Sequence, residues 1–230
     1  MSEPLPPAPA GFPEGPATFA LPGPAGPLEV AVAVPEADCA RAGTAVICHP
    51  NPQQGGTMRN KVVTMLERSL RESGLATVRF NFRGVGASAG AFDNGDGESG
   101  DLVAVAQWVR KNRPGDALWL AGFSFGSYVA LRSARSLGAD ALILVAPPAS
   151  MYDFDEIAAP GCPWLVVQGE EDEVVDPQAV FDWIEALDLK PTLVRMPDTG
   201  HFFHRRLMDL RGAVKNAVRG WLPGTLCDRP

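Results

Sequence analysis

The sequence predicts an α/β fold: a doubly wound, mostly parallel sheet led by an N-terminal antiparallel hairpin. Three observations carry this. Short apolar runs alternate with helix-periodic stretches from residue 44 to residue 221. Such alternation enforces parallel pairing, with helices on both faces of the sheet. Two strand-like runs precede the alternation, joined by a turn rich in proline and glycine. The chain has 230 residues, 46% of them apolar and 20% charged, enough to bury the core of one such domain.

Residues 1–27 hold nine of the 22 prolines. Proline fixes φ and lacks an N–H, so residues 1–16 are expected to be irregular and partly disordered. One domain then spans 17–222, and 223–230 reads as a loose tail. Ala17 to Ala20 and Leu28 to Val34 form the hairpin strands, with Pro22 to Gly26 as the turn. Thr44 to Cys48 is a buried strand. Asn60 to Ser73 is a helix with Val62, Leu66 and Leu70 on one face. Ala76 to Phe82 is the next strand. Glu98 to Lys111 is a helix with Leu102, Val105, Ala106 and Val109 in one stripe. Ala117 to Ala121 is a strand that runs into a helix from Ser127. Ala141 to Val145 and Trp164 to Gln168 are strands. Asp176 to Leu187 is a helix with Val180, Phe181 and Ile184 inward. Thr192 to Met196 is the last strand, and His204 to Trp221 the closing helix.

The net charge of −7 argues against nucleic acid or an anionic membrane as partner. No apolar run approaches the ~20 residues of a membrane span. The N-terminus lacks the basic start and apolar core of a secretory leader. Cys39, Cys48, Cys162 and Cys227 show no metal-ligand spacing, and a cytoplasmic location is expected. Cys48, in a central strand, reads as an inert buried thiol.

In a doubly wound sheet, ligands bind beyond the C-terminal strand ends. The loops that leave strands therefore hold the candidates. Gly122-Phe123-Ser124-Phe125-Gly126 matches G-x-S-x-G between a strand and a helix, the context of a nucleophile elbow. A serine hydroxyl needs a base to become a nucleophile, and histidine is the usual one. Of the three histidines, His201 follows Gly200 in the loop after the last strand and is the expected base. His204 starts a helix and is expected in solvent. His49 is expected to order its proline-rich loop.

The histidine needs a carboxylate to fix its tautomer. Five carboxylates lie between Glu170 and Asp176. Asp176 precedes Pro177 and reads as a helix cap. Asp172 is the preferred acid, and most of the run is expected to be solvated. Two N–H donors should hold an oxyanion. One is that of Phe125, after the nucleophile and at the positive end of its helix. The other should come from the loop after His49. Pro50 and Pro52 have no N–H, so Asn51 is preferred and Gln53 second.

Together these residues resemble the α/β-hydrolase superfamily, and within it small uncapped bacterial serine hydrolases loosely related to dienelactone hydrolases and acyl peptidases. The likeness runs from Ala17 to Trp221. It is carried by His49-Pro50-Asn51-Pro52 through Gly55-Gly56-Thr57-Met58, by Asn81-Phe82-Arg83-Gly84-Val85-Gly86, by the elbow, by Gly169 to Val175, and by Gly200-His201-Phe202-Phe203. It implies an α/β-hydrolase fold and a Ser124–Asp172–His201 triad acting on an ester, thioester or amide. Relatives usually have histidine where this chain has Asn51. The backbone N–H survives that change, while the resemblance no longer implies a side-chain contact to the leaving group. Asn81 to Gly84 is expected to brace the loops.

Many hydrolases insert a helical cap before the acid strand. Here that stretch, Ala146 to Pro163, has room for one short helix at a pocket rim. A shallow, open site follows, with Phe123, Phe125, Met151, Tyr152 and Phe202 as candidate pocket residues. The leading expectation is hydrolysis of small carboxylic esters through an acyl-enzyme, with a small ester or acyl substrate as partner and no cofactor or metal. An aminopeptidase or thioesterase with the same triad is the alternative within enzymes. A non-catalytic binding protein of the same fold is the alternative outside them. The sequence is silent on oligomeric state.

Overall fold

The computed structural model describes residues 4–226. Among them, β1 (Ala17–Gly23), β2 (Gly26–Ala33), β3 (Gly43–Cys48), β4 (Ala76–Phe80), β5 (Ala117–Phe123), β6 (Ala141–Val145), β7 (Trp164–Gly169) and β8 (Thr192–Met196) form one sheet. Its order is β1-β2-β4-β3-β5-β6-β7-β8. β2 pairs antiparallel with β1 and β4, and every other neighbour is parallel. Five helices complete the fold: α1 (Lys61–Arg71), α2 (Asp96–Asn112), α3 (Phe125–Ala134), α4 (Pro177–Ala186) and α5 (Leu207–Val218). None is long and apolar enough to cross a membrane.

Strand side chains alternate between faces, which splits the core in two. Val46, Leu120, Leu142 and Leu144 face α2, α3 and α4. Ile47, Trp119, Ala121, Ile143 and Val145 face α1 and α5. The central strands are buried on both sides, so they read as unbroken apolar runs. Asn60 and Asp176 cap α1 and α4 by accepting the N–H of Val62 and Gln178. Each such cap stabilises its helix by about 1 kcal/mol.

Several boundaries differ from the sequence reading. The hairpin closes on the pair Gly23 and Gly26 with only Pro24 and Ala25 between them. In a two-residue hairpin the next pair outward, Pro22 and Pro27, is not hydrogen-bonded, so their missing N–H groups cost nothing there. Trp183, not Phe181, joins Val180 and Ile184 on the buried face of α4. Phe181 instead lies beneath the Arg195 guanidinium. The closing helix starts at Leu207 rather than His204, because Phe203 and Arg205 are left-handed, with φ of 52° and 60°.

Residues 4–16 are not loose. Ala8 N–H donates to Ala20 O at 2.9 Å, and Ala20 N–H to Pro6 O at 2.8 Å. Phe12 stacks on Trp108, with Arg113 over its ring. Proline rules out regular pairing there, yet one bridge and one ring suffice to seat the segment. The start of the expected tail is also held. Ala42 N–H donates to Gly224 O, Leu226 N–H to Ala40 O, and Arg41 to Pro223 O. Cys227 and the rest of that tail lie outside the described residues.

Candidate active site

The strand order reverses between β3 and β5, and at this switch point the loop after β3 meets the turn after β5. Ser124 sits in that turn with φ 53° and ψ −123°, a region L-residues rarely occupy. The turn survives because its neighbours lack side chains. A Cβ on Gly122 would collide with the carbonyl of Gly126. A Cβ on Gly126 would collide with the carbonyls of Cys48 and His49. The chain leaving β3 therefore lies directly over the start of α3. Ser124 is largely buried, with its N–H donating to Val145 O at 2.9 Å.

His201 Nδ1 and Asp172 Oδ2 are 2.8 Å apart, and both residues are buried. The His201 ring packs on Phe123, centroid to centroid 4.9 Å, which holds the imidazole against the residue preceding Ser124. Asp172 Oδ1 accepts the N–H groups of Val174 at 2.9 Å and Val175 at 2.7 Å, while Gln168 Nε2 donates to Oδ2. Burial alone would raise the Asp172 carboxyl. The hydrogen bonds from His201, Val175 and Val174 outweigh it and hold the group below its ordinary value. Asp172 is thus a carboxylate facing a donor Nδ1–H, which leaves Nε2 as the basic nitrogen.

The rest of the acidic run is also sorted. Glu170 pairs with Arg195, and Asp176 caps α4. Glu171 is exposed. Glu173 is not merely solvated: its Oε2 accepts the His201 N–H at 3.0 Å. Sequence reasoning missed this role, since nothing in the run marks which carboxylate turns toward residue 201.

Phe125 N–H is at the first position of α3, where no carbonyl of the same helix is in reach. Asn51 N–H has no acceptor among the described residues. The Asn51 side chain instead accepts the Gln53 N–H at 2.8 Å, which commits that second candidate donor. His49 is fully buried between the two loops. Nδ1 contacts Pro50 O at 2.6 Å, and Nε2 accepts the Phe82 N–H at 3.0 Å. Burial lowers its pKa to about 4, so the ring is neutral, with Nδ1 as donor. Asn81 completes the brace. Its Oδ1 accepts the Met58 N–H, and its Nδ2 donates to Glu29, a buried carboxylate that also accepts the Ala87 N–H. Glu29 was not legible as a site residue, because its partners come from distant parts of the chain. Arg83 is tied separately, by its backbone N–H and two side-chain bonds to Asp101 on α2.

The candidate pocket residues divide. Phe123 is fully buried in the core behind His201 and lines no open pocket. The Phe125 ring is likewise covered, by Phe82, Phe92 and Tyr152. Tyr152 is half-buried and stacks on Tyr128 at 4.5 Å. Met151 and Phe202 are exposed, 53% and 43%. The stretch from Ala146 to Pro163 forms turns rather than the expected short helix. Pro147, Pro148, Pro160 and Pro163 deny it donors. Among the described residues no cap domain covers Ser124.

The alpha/beta hydrolase domain model matches residues 46–216. The chain belongs to the α/β-hydrolase family. XC6422 of Xanthomonas campestris, described as an α/β serine hydrolase without lid, is 59% identical to it. That structure superposes with a TM-score of 0.91 over 94% of this chain and 100% of its own. An α/β serine hydrolase homologue of Coxiella burnetii is 44% identical, with a TM-score of 0.86 over 90% and 99%. The uncharacterized protein RP471 of Rickettsia prowazekii is 31% identical over 84% of this chain and 85% of its own. This α/β hydrolase therefore shares its lidless architecture with a close structural relative.

Proposed function

We propose that this α/β hydrolase is a serine esterase that cleaves small carboxylic esters through an acyl-enzyme. The observation that carries the reading is His201 held by the ionised Asp172 beside the strained Ser124 turn. His201 Nε2 takes the Ser124 proton, and Oγ attacks the ester carbonyl. The N–H groups of Phe125 and Asn51 receive the oxyanion. His201 then protonates the departing alcohol, activates water for deacylation, and returns the proton to Ser124. Removing one oxyanion donor costs about 3 kcal/mol of transition-state stabilisation in such sites. The absence of a cap over Ser124 among the described residues favours short acyl groups, which need no enclosing tunnel. The lidless serine hydrolase of X. campestris supports the same reading.

The deciding experiment is intact mass after incubation with a fluorophosphonate. One adduct on the wild type and none on Ser124→Ala is the expected result. A well-folded wild type that takes no adduct would overturn the reading and favour a binding protein of this fold. Parallel turnover of short-chain esters, acyl thioesters and aminoacyl amides then separates esterase from thioesterase and aminopeptidase.

A further inference from the structure

Between the loops that follow β3 and β8 runs a groove of about 450 Å³, walled by Thr57, Arg59, Lys61, Val62, Phe202 and His204. It begins one ring away from the candidate base. The Phe202 ring meets His201 edge-on at 5.0 Å and lies 6.0 Å from the ring of His204. No carboxylate lines it, in a chain whose net charge is −7. Lys61 has no ion-pair partner among the described residues. Arg59 reaches only Glu29, at 3.4 Å, and its own side chain is 76% exposed. These two cations also flank the start of α1, whose first turn has no acidic residue. Positive charge is disfavoured at that end of a helix, so stability does not account for it.

We infer that this groove receives the leaving-group portion of the substrate and selects one bearing an anionic oxygen group, a carboxylate or a phosphate. The inference rests on the esterase reading above. Chemistry sets the side. His201 delivers its proton to the leaving group, so that fragment lies against the imidazole, and the groove lies on the other side of the adjoining Phe202 ring. Phe202 offers a face to the body of the fragment, while Arg59 and Lys61 supply donors for its charged end.

The test compares esters with one acyl group and different leaving groups: 4-acetoxybenzoate, 4-acetoxyphenyl phosphate and the neutral 4-acetoxybenzamide. The expected result is a kcat/KM for one or both anionic esters about tenfold above the neutral one, the size of one charge-assisted hydrogen bond. That ratio should fall toward one in Arg59→Gln/Lys61→Gln and in high salt. Which anionic ester leads separates carboxylate from phosphate. Equal kcat/KM for all three, or a ratio that survives the double substitution, overturns the inference while leaving the esterase reading intact. A second measurement does not need turnover: titration of 4-hydroxybenzoate and 4-hydroxybenzamide followed by NMR. Binding of the benzoate alone, lost in the double variant, supports the groove even if no ester is cleaved, an outcome that would count against the esterase. Equal binding of both compounds, or none, counts against the groove.

Discussion

Two buried side chains illustrate how hydrogen-bond partners decide protonation. Asp172 Oδ1 is committed to the N–H groups of Val174 and Val175, so Oδ2 alone faces His201. In Asp172→Asn the amide oxygen must take the Oδ1 place to satisfy those two donors. The NH₂ group then points at His201 Nδ1 and drives the ring to the Nε2–H tautomer, which cannot accept the Ser124 proton. We expect kcat to fall by about 10⁴ with the fold intact, as the wrong tautomer does in a triad. A pre-steady-state acylation assay checks this, and wild-type acylation in the variant would sink the assignment. His49 makes the opposite case. Its pKa drops from 6.5 to about 4 because burial penalises the charged ring. Between those values the unfolded chain binds a proton that the native state refuses, so stability falls as pH drops from 6.5 toward 4. At about 1.36 kcal/mol per pH unit the full loss is about 3 kcal/mol. Urea midpoints at pH 7.5 and 4.5 should therefore differ by more in wild type than in His49→Gln, which has no such proton to refuse. Equal differences would contradict the neutral, buried histidine.

The elbow shows what an element inherits from its neighbours. Gly126→Ala adds one methyl, yet its Cβ must occupy the space of the Cys48 and His49 carbonyls. Moving that chain also displaces Asn51. We therefore expect a loss of about 2 kcal/mol or more, in the range of overpacked sites, together with a kcat loss larger than the KM change. Thermal denaturation and ester kinetics read the two effects. The same locality explains what the sequence disclosed. The elbow, the cap at Asp176 and the stripe of Leu102, Val105 and Val109 depend on residues a few positions apart, and all were legible. The start of α5 was not, because the helical periodicity after His204 says nothing of the left-handed Phe203 and Arg205. Glu173 and Glu29 were hidden for a further reason. Each is one carboxylate on a strand or loop, and its role depends on backbone N–H groups supplied from 28 and 58 positions away.

The open sheet ends in two edge strands, β1 and β8, and the N-terminal segment covers part of the β1 edge. β1 is the first strand of the order, separated from β5 by β2, β4 and β3. An uncovered edge strand offers its unpaired N–H and C=O groups to other chains. Here Pro6 and Ala8 take up both backbone groups of Ala20, and Phe12 lies on Trp108, which also touches Phe19. Among the described residues, deleting 1–16 removes two backbone hydrogen bonds, the Phe12–Trp108 stack and the Arg113 contact on the Phe12 ring, each worth about 1 kcal/mol. Partly offsetting this, the shorter chain no longer loses the entropy of ordering a segment already stiffened by proline. We expect the truncated protein to lose about 2 kcal/mol in urea denaturation and to associate at concentrations where the full chain does not. Its kcat on short esters should match wild type, because three strands separate β1 from the site and, among the described residues, the segment shares no hydrogen bond with it. Light scattering and denaturation would test the first part, and a stability equal to wild type would mean the segment merely rests on the surface. A loss of turnover with stability intact would instead tie the edge to the site, through β2 and its buried Glu29 or through α2, whose Trp108 touches Phe12 and Phe19.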